Sequence, residues 1–175
     1  MTETITALGY VKALRGCLFN LPTDDITELA GMITTCKGIV YSAGNGGSAA
    51  NAMHLTCDLV KSGVRSVCLS GSTPLLTAMV NDEGAEYAFS GALKQLGKRA
   101  DMLVAFSGSG TSPNIVECIE AAIQLGVTPV LITGQMAPHG GLTCAGIMVV
   151  EVPSDDMQII EDCHSAIIHV IKKLI

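Results

Sequence analysis

The chain has 175 residues, of which 49% are hydrophobic and 15% are charged, and its formal net charge is −6. This balance excludes an intrinsically disordered chain, which needs low hydrophobicity and high charge, and no apolar run in the sequence is long enough to cross a membrane. Ten basic residues against sixteen acidic ones, with no Trp, disfavour nucleic-acid binding, because that function needs basic and aromatic surfaces.

Residues 1–37 are predicted to form a helical segment of two helices, because apolar residues recur at helical spacing and Pro22 marks a second helix start. Beyond this segment, strands and helices alternate, and no linker or low-complexity tract divides the chain. The sequence therefore predicts a single domain over residues 1–175, with an α/β core over residues 38–175.

The α/β core begins with a predicted strand at 38–43 and a helix at 48–61. The further predicted elements, in chain order, are a strand around 67–69, helices at 74–80 and 85–96, a strand at 102–106, a helix to about residue 125, strands at 127–132 and 146–152, and a closing helix that begins at Pro153 and Ser154. Strands that alternate with helices of this length predict a parallel sheet with helices on both faces. Ligands of such sheets bind beyond the carboxyl ends of the strands.

Seven cysteines indicate where the protein functions. Their number is odd and none stands in C-x-x-C spacing, which argues against a disulfide framework or a zinc ribbon. We therefore expect buried thiols in a reducing compartment. The first residues carry neither the basic patch nor the apolar stretch of a signal peptide, so the predicted location is the cytoplasm.

Two glycine-rich loops follow strands of the core, SAGNGGS at 42–48 and FSGSGTS at 106–112. Glycine lets the backbone approach an anion closely, and the free N–H groups at the start of the next helix, with Ser hydroxyls, can hold phosphate oxygens. The first loop lacks the acidic partner of a dinucleotide site, and neither loop has the Lys of a P-loop. Each loop alone fits an ordinary turn, but two at the same end of one sheet favour an anion site.

Ionisable residues gather on two of the predicted helices. His54 and Asp58 are four residues apart and project from one helix face, which suits a metal ion or acid–base chemistry, although surface pairs of this kind are common. Glu161 and His169 on the closing helix are eight residues apart, about 12 Å along an ideal helix. They could share one ion only at an irregular helix start or across subunits. His164 is interpreted as a core histidine with its hydrogen bonds satisfied.

These residues resemble the sugar isomerase (SIS) domain family, specifically its phosphoheptose isomerases. The resemblance runs from about residue 38 to the end of the chain, and its motifs are Gly44-Asn45-Gly46-Gly47-Ser48, Ala52-Met53-His54, Asn81-Asp82, Ser107-Gly108-Ser109-Gly110-Thr111-Ser112, Leu131-Ile132-Thr133-Gly134 and Glu161-Asp162-Cys163-His164 with His169. It implies a three-layer, flavodoxin-like α/β fold with a five-stranded parallel sheet. It also implies a homotetramer with active sites at subunit interfaces, where the N-terminal helices pack.

The resemblance further implies an isomerase that converts sedoheptulose 7-phosphate to D-glycero-D-manno-heptose 7-phosphate. The residues that would hold the phosphosugar are Asn45, Gly46, Gly47, Ser48, Asn81, Asp82, Ser107, Gly108, Ser109 and Ser112. One Zn²⁺ per subunit would be bound by His54, Asp58, Glu161 and His169. His169 with Asp58 or Glu161 would form the catalytic pair that moves a proton through a cis-enediol.

Several positions depart from the pattern of these isomerases. Asp58 stands where they carry Glu, and Glu161 stands where they usually carry Gln. Gly108 replaces a Thr, and the loop after Asp58 is shorter and lacks their Arg. Two alternatives therefore stay open. The first is an isomerase of another phosphosugar, and the second is a non-catalytic SIS-domain protein such as a regulator of replication initiation. A regulator would have no need of the four ionisable residues, so their presence favours an enzyme.

Overall fold

Five strands form one parallel sheet in the computed structural model, which describes residues 6–135 and 147–175. The strands are β1 (Val40–Gly44), β2 (Ser66–Cys68), β3 (Met102–Ser107), β4 (Thr128–Gly134) and β5 (Met148–Val152). Their order across the sheet is β2-β1-β3-β4-β5, and each neighbouring pair is parallel. The predicted parallel sheet is confirmed. Gly146, which the sequence assigns to the last strand, lies outside the described residues.

Helices cover both faces of this sheet, so the fold has three layers. The helices are α1 (Ala7–Phe19), α2 (Thr23–Thr35), α3 (Gly46–Lys61), α4 (Thr73–Asp82), α5 (Ser90–Leu96), α6 (Pro113–Leu125) and α7 (Met157–Leu174). Helices α1, α2, α3 and α7 bury their apolar residues in one core, and α5 and α6 bury theirs in the other. Along β3, Val104 and Phe106 enter the first core while Leu103 and Ala105 enter the second. Such strands, buried on both faces, account for much of the chain's hydrophobicity.

The order of the strands places a topological switch point between β1 and β3. The chain leaves β1 for β2 on one side and then crosses to β3 on the other side. Gly44 at the end of β1 pairs in register with Phe106 near the end of β3. The loops that follow the two strands therefore start side by side at the same edge of the sheet, which is where ligands bind in open α/β folds.

Several predicted element bounds differ from the structure. The closing helix begins at Met157 rather than at Pro153, because the Asp156 side chain caps it by accepting hydrogen bonds from two backbone N–H groups of its first turn. The predicted helix at 85–96 is split into a 3₁₀ turn at Ala85–Tyr87 and helix α5. Between these two pieces, the side chains of Ala88 and Phe89 are buried in the core with α6.

The two N-terminal helices pack on α7, which is therefore covered within its own subunit on much of its surface. Helix α1 nevertheless leaves large apolar side chains in solvent, among them Leu8, Val11 and Phe19.

No helix within the described ranges is long and apolar enough to span a bilayer.

Candidate active site

The two glycine loops together line one cavity of about 260 Å³ at the carboxyl edge of the sheet. Its lining residues are Asn45, Gly46, Gly47, Ser48, Phe106, Ser107, Gly108, Ser109, Ser112, Met157 and Glu161. Eight of the ten predicted phosphosugar-binding residues are thus brought together. The remaining two, Asn81 and Asp82, lie at the end of α4, where their side chains bond to each other over 2.7 Å, and they do not line this cavity.

The first loop turns sharply into α3. Asn45 is the N-cap residue, and Gly46 has a φ of +54°, a left-handed conformation that favours glycine. The Asn45 side chain also forms a reciprocal amide pair with Asn114 of α6, with both N···O distances at 2.9 Å. This pair joins the start of α3 to the helix that follows the second loop. Asn114 was missed by the sequence analysis, since nothing in the local pattern indicates its partner.

The second loop is held by its own hydroxyl groups and by α7. The Oγ atoms of Ser107 and Ser112 are 3.2 Å apart, and Ser109 Oγ accepts from the N–H of Thr111 at 3.2 Å. The Cα of Gly108 faces Met157 of α7 so closely that a methyl group there would overlap the Met157 sulfur. The small residues of this loop therefore leave room for α7 to border the cavity.

Glu161 introduces a negative charge at the edge of this cavity. Its carboxylate lies against Gly47, and a methyl group at Gly47 would overlap the carboxylate atoms. Among the described lining residues, Glu161 is the only charged one, and no Lys or Arg joins it. Within the described residues of one subunit, the groups available to a phosphate at this cavity are therefore backbone N–H groups and hydroxyls.

A second cluster lies further along α3, where His54, Asp58 and His169 meet. One ligand atom from each of these residues lies within 4.8 Å of those of the other two. His54 Nε2 is 3.5 Å from Asp58 Oδ2, and the rings of His54 and His169 are in edge-to-face contact at 4.9 Å between centroids. Two imidazoles and one carboxylate are a ligand set that suits zinc, which takes three protein ligands and an open position in catalytic sites.

Glu161 is not part of this three-residue group in the described residues. It precedes His169 by about two turns on the regular helix α7, and its carboxylate points to the glycine-loop cavity instead. The structure thus brings together three of the four predicted metal ligands. The role of Glu161 as a fourth ligand stays a prediction.

His164 lies in the core, as predicted, but the prediction that its ring nitrogens are hydrogen-bonded is wrong for the described residues. The residue is fully buried beside Phe106, with ring centroids 5.5 Å apart. However, neither ring nitrogen has a hydrogen-bond partner within the described part of the chain. Burial lowers the pKa of His164 to about 4, and only the Thr133 backbone acts in the opposite direction.

The chain is similar to known proteins in sequence and in fold. The SIS domain family matches residues 10–134. A phosphoheptose isomerase of Helicobacter pylori (strain Shi470) is 34% identical over 172 residues, which are 94% of this chain and 88% of that protein. A phosphoheptose isomerase of Akkermansia muciniphila is 37% identical over 160 residues, covering 86% of this chain and 84% of that protein.

Among solved structures, a phosphoheptose isomerase from Francisella tularensis superposes with a TM-score of 0.90 at 25% identity. The superposition covers 99% of this chain and 98% of that one. The predicted fold class is therefore confirmed over essentially the whole length. The chain belongs to the SIS domain family, among the phosphoheptose isomerases.

Proposed function

We propose that this chain is a phosphosugar aldose–ketose isomerase that converts sedoheptulose 7-phosphate to D-glycero-D-manno-heptose 7-phosphate. One observation carries the proposal. Helix α3 begins in the loop that lines the glycine-loop cavity, and about two and three turns later it carries His54 and Asp58 of the ionisable group. A substrate whose phosphate occupies the cavity extends its carbon chain towards this group. The phosphoheptose isomerases that the chain resembles support the same reaction.

The cavity supplies phosphate binding without a basic side chain. The backbone N–H groups at the start of α3 carry the positive end of the helix dipole. Hydroxyl groups from Ser48, Ser107 and Ser112 add donors around the same space. This binding does not change between ketose and aldose, so it holds the substrate while the chemistry takes place at the other end of the sugar.

The isomerisation itself requires one proton to move between neighbouring carbons. A base removes the proton from the carbon next to the carbonyl, the electron pair of that C–H bond forms the C=C bond of a cis-enediol, and the carbonyl oxygen takes up a proton. Return of a proton to the former carbonyl carbon, with loss of the hydroxyl proton on the neighbouring carbon, gives the other sugar. We assign these transfers to His169 together with Asp58 or Glu161, because an imidazole and a carboxylate are the side chains that most often act as general acid and base.

We infer that His54, Asp58 and His169 hold one zinc ion per subunit, with Glu161 as the candidate fourth ligand. A bound divalent ion supplies Lewis acidity, which stabilises negative charge on the sugar oxygen. The two imidazoles and the carboxylate face one another within ligand distance, and this supports the inference.

Exposed apolar side chains support a homo-oligomer, which we propose to be a tetramer. Besides those of α1, they include Met53 and Val60 on α3 and Val170 and Leu174 on α7. Apolar surface of this kind on a folded domain marks a contact surface. The N-terminal helices would pack there, and assembly would bring further residues such as Asn81 and Asp82 to a neighbour's cavity. We place this single-domain enzyme in the cytoplasm.

The test is turnover of sedoheptulose 7-phosphate by the full chain, with bound zinc measured on the same sample. Unphosphorylated sedoheptulose serves as the matched control, because it keeps the reacting carbons and lacks the group that the cavity binds. We expect zinc and turnover of the phosphorylated sugar alone. Zinc without turnover would indicate an isomerase of another phosphosugar. Absence of both would indicate a non-catalytic regulator.

A further inference from the structure

We propose that Asn51 and Ser165 are positioning residues, which fix the register of α3 against α7 so that His54, Asp58 and His169 meet. Neither residue belongs to the ionisable group or lines the glycine-loop cavity. The inference rests on the metal-binding role proposed above, and it concerns how the fold holds that group in place.

The amide of Asn51 makes two hydrogen bonds to α7. Its Nδ2 donates to the backbone carbonyl oxygen of Glu161 at 3.0 Å, and its Oδ1 accepts from Ser165 Oγ at 2.7 Å. Asn51 is 6% exposed, so these partners replace water. Loss of either partner would leave a polar group of this amide buried and unpaired, which is the costly outcome for a hydrogen bond in a protein interior.

The helical spacing puts this pair next to the ionisable group. Asn51 precedes His54 by three residues and Asp58 by seven, so all three share one face of α3. Ser165 precedes His169 by four residues, so these two share one face of α7. The Asn51–Ser165 contact is therefore about one helical turn, roughly 5 Å, from the level at which the two histidines meet.

A second polar contact lies on the other side of the group. Lys172 of α7 donates from Nζ to the backbone carbonyl oxygen of Asp58 at 3.1 Å and to the Ser62 hydroxyl at the end of α3. The ionisable group is thus placed between two hydrogen-bonded contacts that cross the same helix pair. Of the two contacts, the one made by Asn51 is buried, and it also includes a hydrogen bond to the backbone carbonyl oxygen of Glu161.

Apolar packing cannot supply this register by itself. Leu55 and Leu59 of α3 and Ile168 of α7 belong to the same core and hold the helices together, but hydrophobic burial has no direction. Hydrogen bonds from a buried amide have a fixed length and angle. We infer that removing them lets α3 and α7 settle in a slightly different register, which separates the ligand atoms without unfolding the chain.

The experiment measures the affinity of the full chain for zinc alone, by competition with a chromophoric chelator. Ser165→Ala removes one hydroxyl group, and Asn51→Leu removes both amide contacts at similar volume. Each variant is expected to weaken zinc binding roughly 10- to 100-fold, as removal of groups that orient metal ligands does elsewhere. Ser165→Thr keeps the hydroxyl and should restore the affinity. The visible spectrum of bound Co²⁺ should change in Ser165→Ala and Asn51→Leu and recover in Ser165→Thr.

Tyr10→Phe is the matched control. It also removes a hydrogen bond to α7, between Tyr10 Oη and Asp162 Oδ2 at 2.7 Å, but its partner helix is α1 and not α3. Its zinc affinity should equal that of the wild type. Wild-type affinity in both Ser165→Ala and Asn51→Leu, with melting curves showing folded protein, would overturn this inference alone. A wild-type chain that binds no zinc would contradict the proposed metal role and this inference with it.

Discussion

The glycine-loop cavity and the His54–Asp58–His169 group share helix α3 but are built in different ways. The cavity consists of backbone and small side chains from two short segments, each directly after a strand. The ionisable group needs side chains from α3 and α7, which are far apart in the sequence and meet only through tertiary packing. The first region is therefore set mainly by local sequence, while the second depends on the exact placement of two helices.

In the proposed reaction, the cavity binds the phosphate and the ionisable group transfers the proton, and the two regions differ accordingly. A phosphate is bound equally before and after isomerisation, and backbone N–H groups suffice for it. Proton transfer needs ionisable groups within hydrogen-bond reach of the reacting atoms, so small displacements have large effects on the rate. Glu161 connects the two regions through the chain, because it lines the cavity and comes from the helix that carries His169.

His169→Ala should distinguish the roles of the two regions most clearly, because it removes a side chain of the ionisable group and leaves the cavity unchanged. Removal of this imidazole should lower kcat/KM for sedoheptulose 7-phosphate at least roughly 10²- to 10⁴-fold, the usual contribution of a general acid or base, because it also removes a proposed zinc ligand. The cavity is left intact, so the dissociation constant for the reduced, non-isomerisable heptitol 7-phosphate should change little. Steady-state kinetics and calorimetry check the two values. A variant that loses heptitol phosphate binding but retains kcat would reverse the assignment of roles.

The buried His164 should make the fold sensitive to acid. Its pKa is about 4 in the folded chain and about 6.5 when unfolded, so the unfolded state binds more protons between these values. Stability is therefore lost as the pH falls through this window, by roughly 2–3 kcal/mol at pH 4.5 relative to pH 7. Urea unfolding of the wild type and His164→Leu at both pH values measures this loss. Parallel pH profiles of the two proteins would show that His164 is not responsible.

Gly47→Ala changes the contact between the first glycine loop and the Glu161 carboxylate. The added methyl group would overlap the Glu161 carboxylate, which can move aside because it is the end of a flexible side chain. We expect kcat/KM to fall roughly tenfold through displacement of Glu161 and the loop. Gly31→Ala in α2 is the control, because a methyl group there meets no atom within 4 Å. Equal kinetics of the two variants would mean that the contact has no role.

The smallest effect is expected on the opposite face of the sheet. Lys94 Nζ and Glu117 Oε1 are 2.9 Å apart and join α5 to α6, with the lysine 41% exposed. Exposed pairs of this kind contribute less than about 1 kcal/mol. Lys94→Met should lower the free energy of unfolding by no more than that and leave turnover unchanged. A large loss of turnover would mean that this face influences the active site.

The same contrast explains what the sequence could predict. Short apolar runs followed by SAGNGGS and FSGSGTS indicated strands, turns and helix starts, because strand burial and glycine conformation are local properties. Parallel topology also predicted that the two glycine loops lie at one edge of the sheet. It did not predict that β1 and β3 are immediate neighbours, since strand order is decided by the whole sheet. The eight loop residues that the resemblance implied lie together around one cavity.

Contacts between distant segments could not be predicted in the same way. Nothing in the local sequence pattern indicates that Asn51 bonds to Ser165, or that Asn45 pairs with Asn114. It also left open whether Glu161 and His169 share one ion, because that depends on where α7 starts and how it packs. The Asp156 cap starts α7 four residues before Glu161, and Glu161 consequently faces the cavity.

The central claim is that ionisable side chains of this chain move a proton through an enediol while the glycine loops hold the phosphate. Isomerisation of sedoheptulose 7-phosphate in D₂O, followed by NMR, tests it most directly. We predict that the aldose formed by the wild type carries deuterium on the carbon next to its carbonyl, and that His169→Ala forms this labelled product at a strongly reduced rate. Formation of the aldose by His169→Ala at the wild-type rate would contradict the account, because the proton would then move without this imidazole.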